Sequence, residues 1–240
     1  MIFITGDTHG DVVARLCKAN FQRRGITEYP QEGDVVLIAG DFGCVFFNEQ
    51  TKREKYHLDW LESQPYITAF IDGNHENHPK LATFPVKEWN GGLVHEIRPN
   101  VLHLMRGEIY DIQKIKFFCF GGAVSIDRDV RAEGSSWWPE EVLNYDEGLN
   151  ALDNLAKVKF KVDIVLTHTA PVSFISPVAE KIGINEMKFD DPVMDFLSTI
   201  EPKIDYKYWY FGHFHHNWKH QTGEKKWGRG IYNAIDVVRR

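Results

Sequence analysis

Five stretches of this chain repeat one design: a short apolar run that stops at a glycine or small residue and then presents a side chain able to ligate a metal ion. Ile2 to Thr5 leads through Gly6 to Asp7, Thr8 and His9, and Val35 to Ala39 leads through Gly40 to Asp41. Ile67 to Ile71 runs into Asp72-Gly73-Asn74-His75-Glu76, Ile164 to Thr167 into His168, and Tyr208 to Phe211 through Gly212 into His213, Phe214 and His215. The runs are β-branched or aromatic and too short for stable helices, so they read as buried strands. Asp7 and His9, two residues apart in an extended segment, lie on one side of the chain. Any one of these pieces is ordinary, because a lone Asp caps a turn and a lone His fills a core. Together they place oxygen and imidazole donors at the carboxyl ends of strands, which is where α/β sheets bind ligands.

Taken in order, Gly6-Asp7-Thr8-His9, Gly40-Asp41, Gly73-Asn74-His75-Glu76, Thr167-His168 and Gly212-His213-Phe214-His215 resemble the motifs of the calcineurin-like metallophosphoesterase superfamily. The resemblance spans residues 1 to about 216. It implies an α/β fold with a two-sheet β-sandwich core flanked by helices, and a metal-dependent phosphoric ester hydrolase.

The donors number three oxygen-type side chains (Asp7, Asp41, Asn74) and four imidazoles (His9, His168, His213, His215). That is too many for one ion with an open position and suits two ions sharing a bridge. Asp41 is the natural bridge, since a carboxylate offers an oxygen to each ion whereas Asn74 has a single acceptor oxygen. The resemblance assigns one ion to Asp7, His9, Asp41 and His215, and the other to Asp41, Asn74, His168 and His213. Mixed nitrogen and oxygen donors favour manganese, iron, zinc, cobalt or nickel over calcium. In this family a hydroxide shared by two divalent ions attacks phosphorus, and the position of His75 belongs to the acid that protonates the leaving alkoxide. The protein Ser/Thr phosphatase branch orients that histidine with a carboxylate three residues after the bridging Asp. Cys44 stands there instead, which counts against that branch.

Composition narrows the substrate. A net charge of −6 disfavours a protein that coats long nucleic acid, because such binding runs on Lys and Arg neutralising phosphates. A small phosphorylated metabolite or a Ser/Thr phosphoprotein segment fits better, and a phosphate monoester is the leading reading. A phosphodiesterase or nuclease is the alternative, kept open by the loop from Arg128 to Trp138, whose arginines and tryptophans suit phosphate and base contacts. Arg128 and Arg131, following Gly121-Gly122, are the candidate substrate-binding residues. A non-catalytic binding module of the same fold is the third reading, and the full donor set argues against it.

The 240 residues read as a single domain, 1–240. The three cysteines lack zinc or disulfide spacing, no run approaches a membrane span, and the first residues enter a strand without a signal-peptide pattern, so the expected location is cytoplasmic. Helices are expected from Asp11 to about Arg24, from Gln50 to Ser63, from Pro139 to about Val158 and from Phe189 to Ile200. Short antiparallel strands are expected between Lys80 and Ile112, a strand from Ile115 to Phe120, and a terminal β-meander after Gly212. Residues 172–188 read as a loop able to close over a pocket.

Overall fold

A computed structural model describes residues 1–175 and 191–239. In chain order, the first sheet takes β1 (Ile2–Thr5), β2 (Val35–Ile38), β3 (Ile67–Phe70), β4 (Val86–Trp89), β5 (Gly92–Arg98) and β6 (Val101–Leu104). The second takes β7 (Glu108–Ile112), β8 (Ile115–Phe120), β9 (Ile164–Thr167), β10 (Tyr208–Phe211), β11 (Trp218–Gln221) and β12 (Trp227–Gly230), and β13 (Asp236–Val238) returns to the first. Spatially the orders are β13-β1-β2-β3-β6-β5-β4 and β11-β12-β10-β9-β8-β7. β1, β2 and β3 are parallel and in register, so Thr5, Ile38 and Phe70 end side by side. Phe120, Thr167 and Phe211 end together on parallel β8, β9 and β10.

Strand alternation builds three apolar layers. Ile2, Ile4, Val35 and Leu37 face Phe117, Cys119, Ile164 and Leu166 across the gap between the sheets. Phe3, Val36, Ile38 and Phe70 point the other way, towards α1 (Val12–Leu16), α2 (Lys18–Arg23) and α3 (Lys52–Glu62). The single-turn α4 (His78–Leu81) follows β3, and α5 (Tyr145–Lys157) and α6 (Pro192–Ile200) cover Phe118, Phe120, Val165, Trp209 and Phe211 on the outer face of the second sheet. Each central strand is buried on both faces, which explains its unbroken hydrophobic sequence. The result is the two-sheet sandwich flanked by helices. Among the described residues, no helix is long and apolar enough to cross a membrane.

Three expectations are corrected, and a fourth falls mostly outside the described residues. The helix from Asp11 to Arg24 is broken at Cys17, which is extended (φ −69°, ψ 148°). The amide of buried Asn20 donates to the Arg15 carbonyl at 2.7 Å, competing with the helical ladder, and Ala19 is left exposed. The helix expected from Pro139 begins at Tyr145, where Asn144 and Glu147 form a capping box, and Pro139–Glu141 is a separate 3-10 turn. The terminal meander is split between sheets: β12 pairs parallel with β10, and β13 pairs antiparallel with β1. Ile231 makes the crossing, buried between the sheets with its N–H on the Phe211 carbonyl at 2.8 Å. In the expected 172–188 loop, residues 172–175 are helical and 176–190 lie outside the described residues.

Candidate metal centre

The aligned ends of β1, β2, β3, β9 and β10 bring the sequence-selected donors to one edge of the sandwich. Beyond each strand the chain turns sharply. Asp7, His9, Asp41, His213 and His215 all adopt positive φ, at 46°, 44°, 49°, 65° and 48°. Side chains other than glycine rarely take this conformation, at a cost of about 1–2 kcal/mol each, so surrounding contacts must hold the loops there. Two glycines make room. A Cβ on Gly40 (φ +84°) would strike the His168 ring, and one on Gly73 would strike the Asp41 carboxylate.

Donor atoms of Asp7, His9, Asp41 and His215 lie within 4.8 Å of one another. His9 Nε2 is 3.0 Å from His215 Nε2 and 3.5 Å from Asp41 Oδ2. Asp7 Oδ1 accepts the His213 N–H at 2.8 Å, while Asp7 Oδ2 is buried with no hydrogen-bond partner. A buried carboxylate oxygen left bare among imidazoles suits a cation. Without one, burial and the Asp41 charge, opposed by His168, push Asp7 up to about 8. Burial takes His9 down to about 4 against the pull of Asp41.

A second group meets the first at Asp41. His168 Nδ1 faces the Ala39 carbonyl at 2.9 Å, which places its proton there in the neutral ring and turns Nε2 inward as a lone pair. That Nε2 lies 3.1 Å from Asn74 Oδ1 and 3.3 Å from Asp41 Oδ1, and His213 Nδ1 is 3.1 Å from the same Asn74 oxygen. Lone pairs facing one another need a proton or a cation between them. The metal-free chain uses a proton: despite burial, the Asp41 charge raises His168 to about 10. Burial raises Asp41, but His168, His75 and His9 outweigh it and hold the carboxylate well below its usual range. Burial and His168 lower His213 to about 3. Both donor groups fit divalent ions.

His75 sits at the mouth. Its N–H donates to Asp41 Oδ1 at 3.0 Å, and its ring Nε2 receives Arg131 Nη2 at 2.8 Å. Arg131 is also paired with Asp127 at 2.9 Å. Arg128 turns elsewhere: its Nε lies 3.2 Å from the Ser125 carbonyl and 3.6 Å from Glu141, with its guanidinium 5.6 Å from the Trp137 ring centre. The structure thus brings Arg131 to His75 and turns Arg128 to its own loop. A cavity of about 220 Å³ adjoins the donors, lined by His9, His75, Phe46, Phe47, Arg53 and His57 among others. His78, three residues past His75, lies behind the site, 3.3 Å from Asp72.

Several supporting residues escaped the sequence reading. Glu76, fully buried, accepts the Gly43 and Gly73 N–H groups at 2.9 and 2.5 Å and so joins the second and third ligand loops. Arg15 donates to Thr5, to the Gly6 carbonyl and to the Tyr232 carbonyl, and the Tyr232 ring stacks on His215. Asn74 Nδ2 donates to Ser125 Oγ at 3.0 Å. The Gly-Gly signal marked the segment containing Ser125, but nothing in the sequence distinguished that serine from the nearby arginines.

Two curated relatives, metallophosphoesterase domain-containing protein 1 of Homo sapiens and of Mus musculus, are each 28% identical over 196 residues, covering 76% of this chain. The chain spans about half the length of those relatives, 54%. Among solved structures, the phosphopantetheinyl hydrolase of Mycobacterium tuberculosis aligns over 96% of this chain and 89% of its own at 13% identity, with a TM-score of 0.41. Residues 1–217, which hold every donor from Asp7 to His215, match the calcineurin-like phosphoesterase family, and the chain belongs to it.

Proposed function

We propose that this protein is a two-ion phosphoesterase that hydrolyses a phosphate monoester. The observation that carries the reading is the Asp41 carboxylate, whose Oδ2 faces His9 at 3.5 Å and whose Oδ1 faces His168 at 3.3 Å. One oxygen faces each donor group, which suits a ligand shared between them. Asp7, His9, Asp41 and His215 would hold one ion, and Asp41, Asn74, His168 and His213 the other. Manganese or another ion accepting both nitrogen and oxygen suits them. When bound, the ions supply an activated water and positive charge against the phosphate oxygens.

The chain's own groups favour a monoester. Arg131 presents a guanidinium at the mouth, and a terminal phosphate carries one more negative charge than a diester to meet it. The pocket beside His9 and His75, walled by Phe46 and Phe47, takes the alcohol part. His75 is the proton donor to the departing oxygen. In the free protein its Nε2 accepts from Arg131, so donation requires a protonated ring and an Arg131 that has moved to the phosphate. Arg131 is therefore shared between His75 and substrate.

The test is hydrolysis of p-nitrophenyl phosphate beside bis-p-nitrophenyl phosphate by the manganese-loaded protein, with Asp41→Asn as the blank. Monoester preference that disappears in the blank is expected. A diester preference overturns the substrate assignment, and activity surviving in the blank overturns the shared-ligand reading.

A further inference from the structure

Asparagine is an ambiguous ligand: its oxygen and its NH₂ have nearly the same shape, and only the oxygen can face a cation. Asn74 is 4% exposed, so no solvent is at hand to settle its orientation. One end of the amide meets the inward nitrogens of His168 and His213, both at 3.1 Å, and the other meets Ser125 Oγ at 3.0 Å. Ser125 is itself committed. Its hydroxyl donates to Glu141 Oε2 at 2.6 Å and its N–H to Glu141 Oε1 at 2.9 Å. With its one hydroxyl proton on a carboxylate, Ser125 Oγ has only lone pairs left for Asn74, and a lone pair accepts the NH₂ end alone. Glu141 is fully buried, and its backbone is fixed by the Trp138 carbonyl, the Ala123 N–H and Arg106.

We propose that Ser125 and Glu141 are positioning residues which lock the Asn74 carbonyl oxygen towards the ion position between His168 and His213. The assignment rests on the two-ion reading above and gives a role to the Gly121-Gly122 segment that substrate-binding arginines do not explain. Removing the Ser125 hydroxyl leaves the Asn74 NH₂ buried without an acceptor and frees the amide to turn.

The experiment is calorimetric titration of manganese into the metal-free full chain, with thermal melting of each metal-free variant as a check on folding. Wild type takes up two ions. Ser125→Ala weakens one of them by about 10- to 100-fold, the usual effect of losing a ligand-orienting partner, and leaves the other unchanged. Glu141→Gln, with one acceptor for the two donors of Ser125, weakens the same ion. Asn74→Asp has an oxygen at either end and nothing to orient, so adding Ser125→Ala to it changes the affinity little. Unchanged affinities in Ser125→Ala overturn the proposal, as does an equal loss in the Asn74→Asp background, which would mark a general structural role. If wild type binds one ion, the two-ion reading fails by that result alone. Ser125→Ala then still decides the positioning, a weaker ion supporting it and an unchanged one overturning it.

Discussion

Where the sequence has Cys44 in place of a carboxylate, the His75 ring takes its hydrogen bond from Arg131, which is held in turn by Asp127. Cys44 is buried and its thiol is pushed far up by that burial, so it carries no charge to offer. Burial lowers the His75 pKa, Asp41 pulls it up, and the Arg131 charge lowers it further. Arg131→Ala should therefore move the basic limb of the pH profile of kcat/KM to higher pH, because protonated His75 persists longer. It should also raise KM, with kcat/KM falling about 10- to 100-fold for loss of a charged hydrogen bond to phosphate. An unmoved limb would detach Arg131 from His75. His75→Ala should cost about 100- to 10,000-fold on an alkyl phosphate and much less on p-nitrophenyl phosphate, whose leaving group needs no proton. Equal losses on the two substrates would remove His75 from the proton-donor role.

At the scale of elements, the ligand loops are held by charges buried beneath them. Arg106, in the turn between β6 and β7, donates to Asp72 at 2.9 and 2.6 Å, to Glu147 of α5 at 3.0 Å and to the Val142 carbonyl at 2.9 Å. It thereby fastens the end of β3, one residue before Gly73, to the start of α5. Asp72 is held well below the usual carboxylate range, since Arg106 and His103 outweigh the opposing effect of burial. Arg106→Met should lower stability by about 3–5 kcal/mol in urea denaturation, because it strands the Asp72 carboxylate without its cation. A loss under about 1 kcal/mol, the range of an exposed pair, would show that water reaches Asp72. The capping box at Asn144 and Glu147 is a local pattern, four residues long, that the reading of a helix from Pro139 passed over. That Glu147 Oε2 also receives Arg106 is not, because the partner lies 41 residues away.

For the whole molecule, the donors come from both sheets: Asp7, His9, Asp41 and Asn74 from the first, His168, His213 and His215 from the second. Unfolding separates them, so ions that bind the assembled site should stabilise the chain. At 100 times the dissociation constant the gain is about 2.7 kcal/mol per ion, measurable as a rise in melting temperature over chelator-treated protein. The metal-free chain should show the opposite dependence on rising pH from the loaded one. Asp7 and Glu76 are raised to about 8, the latter by burial and Asp41, and His168 to about 10. Their unfolded values are about 4 for the carboxyls and 6.5 for the imidazole. The imidazoles that folding lowers, His9, His95 and His213 among them, oppose this near pH 6.5 but are mostly deprotonated in both states above about pH 7. Between about pH 7 and 8 the folded state therefore binds more protons than the unfolded one, and metal-free stability falls as pH rises. Ion binding consumes the deprotonated donors, so the loaded protein should gain over the same interval. A metal-free melting temperature that climbs from about pH 7 to 8 would contradict the protonated cluster.

The strands were legible because both faces of each central strand are buried, and that demand wrote continuous apolar runs such as Val35 to Ile38 into the sequence. The candidate donors stood out because Asp, Asn and His immediately after such runs have few other reasons to recur together. Ile115 to Phe120 emerged with the bounds read from sequence. Contacts between distant segments were not legible. Asn20 breaking the first helix, β13 crossing to the opposite sheet, Arg131 reaching His75 and Ser125 reaching Asn74 each depend on a partner brought near only by folding. Local pattern determines which residues form strands and which follow them. The packing of two sheets decides which of those residues face one another, because a hydrogen bond or ion pair is fixed by distance in space and leaves no periodicity along the chain.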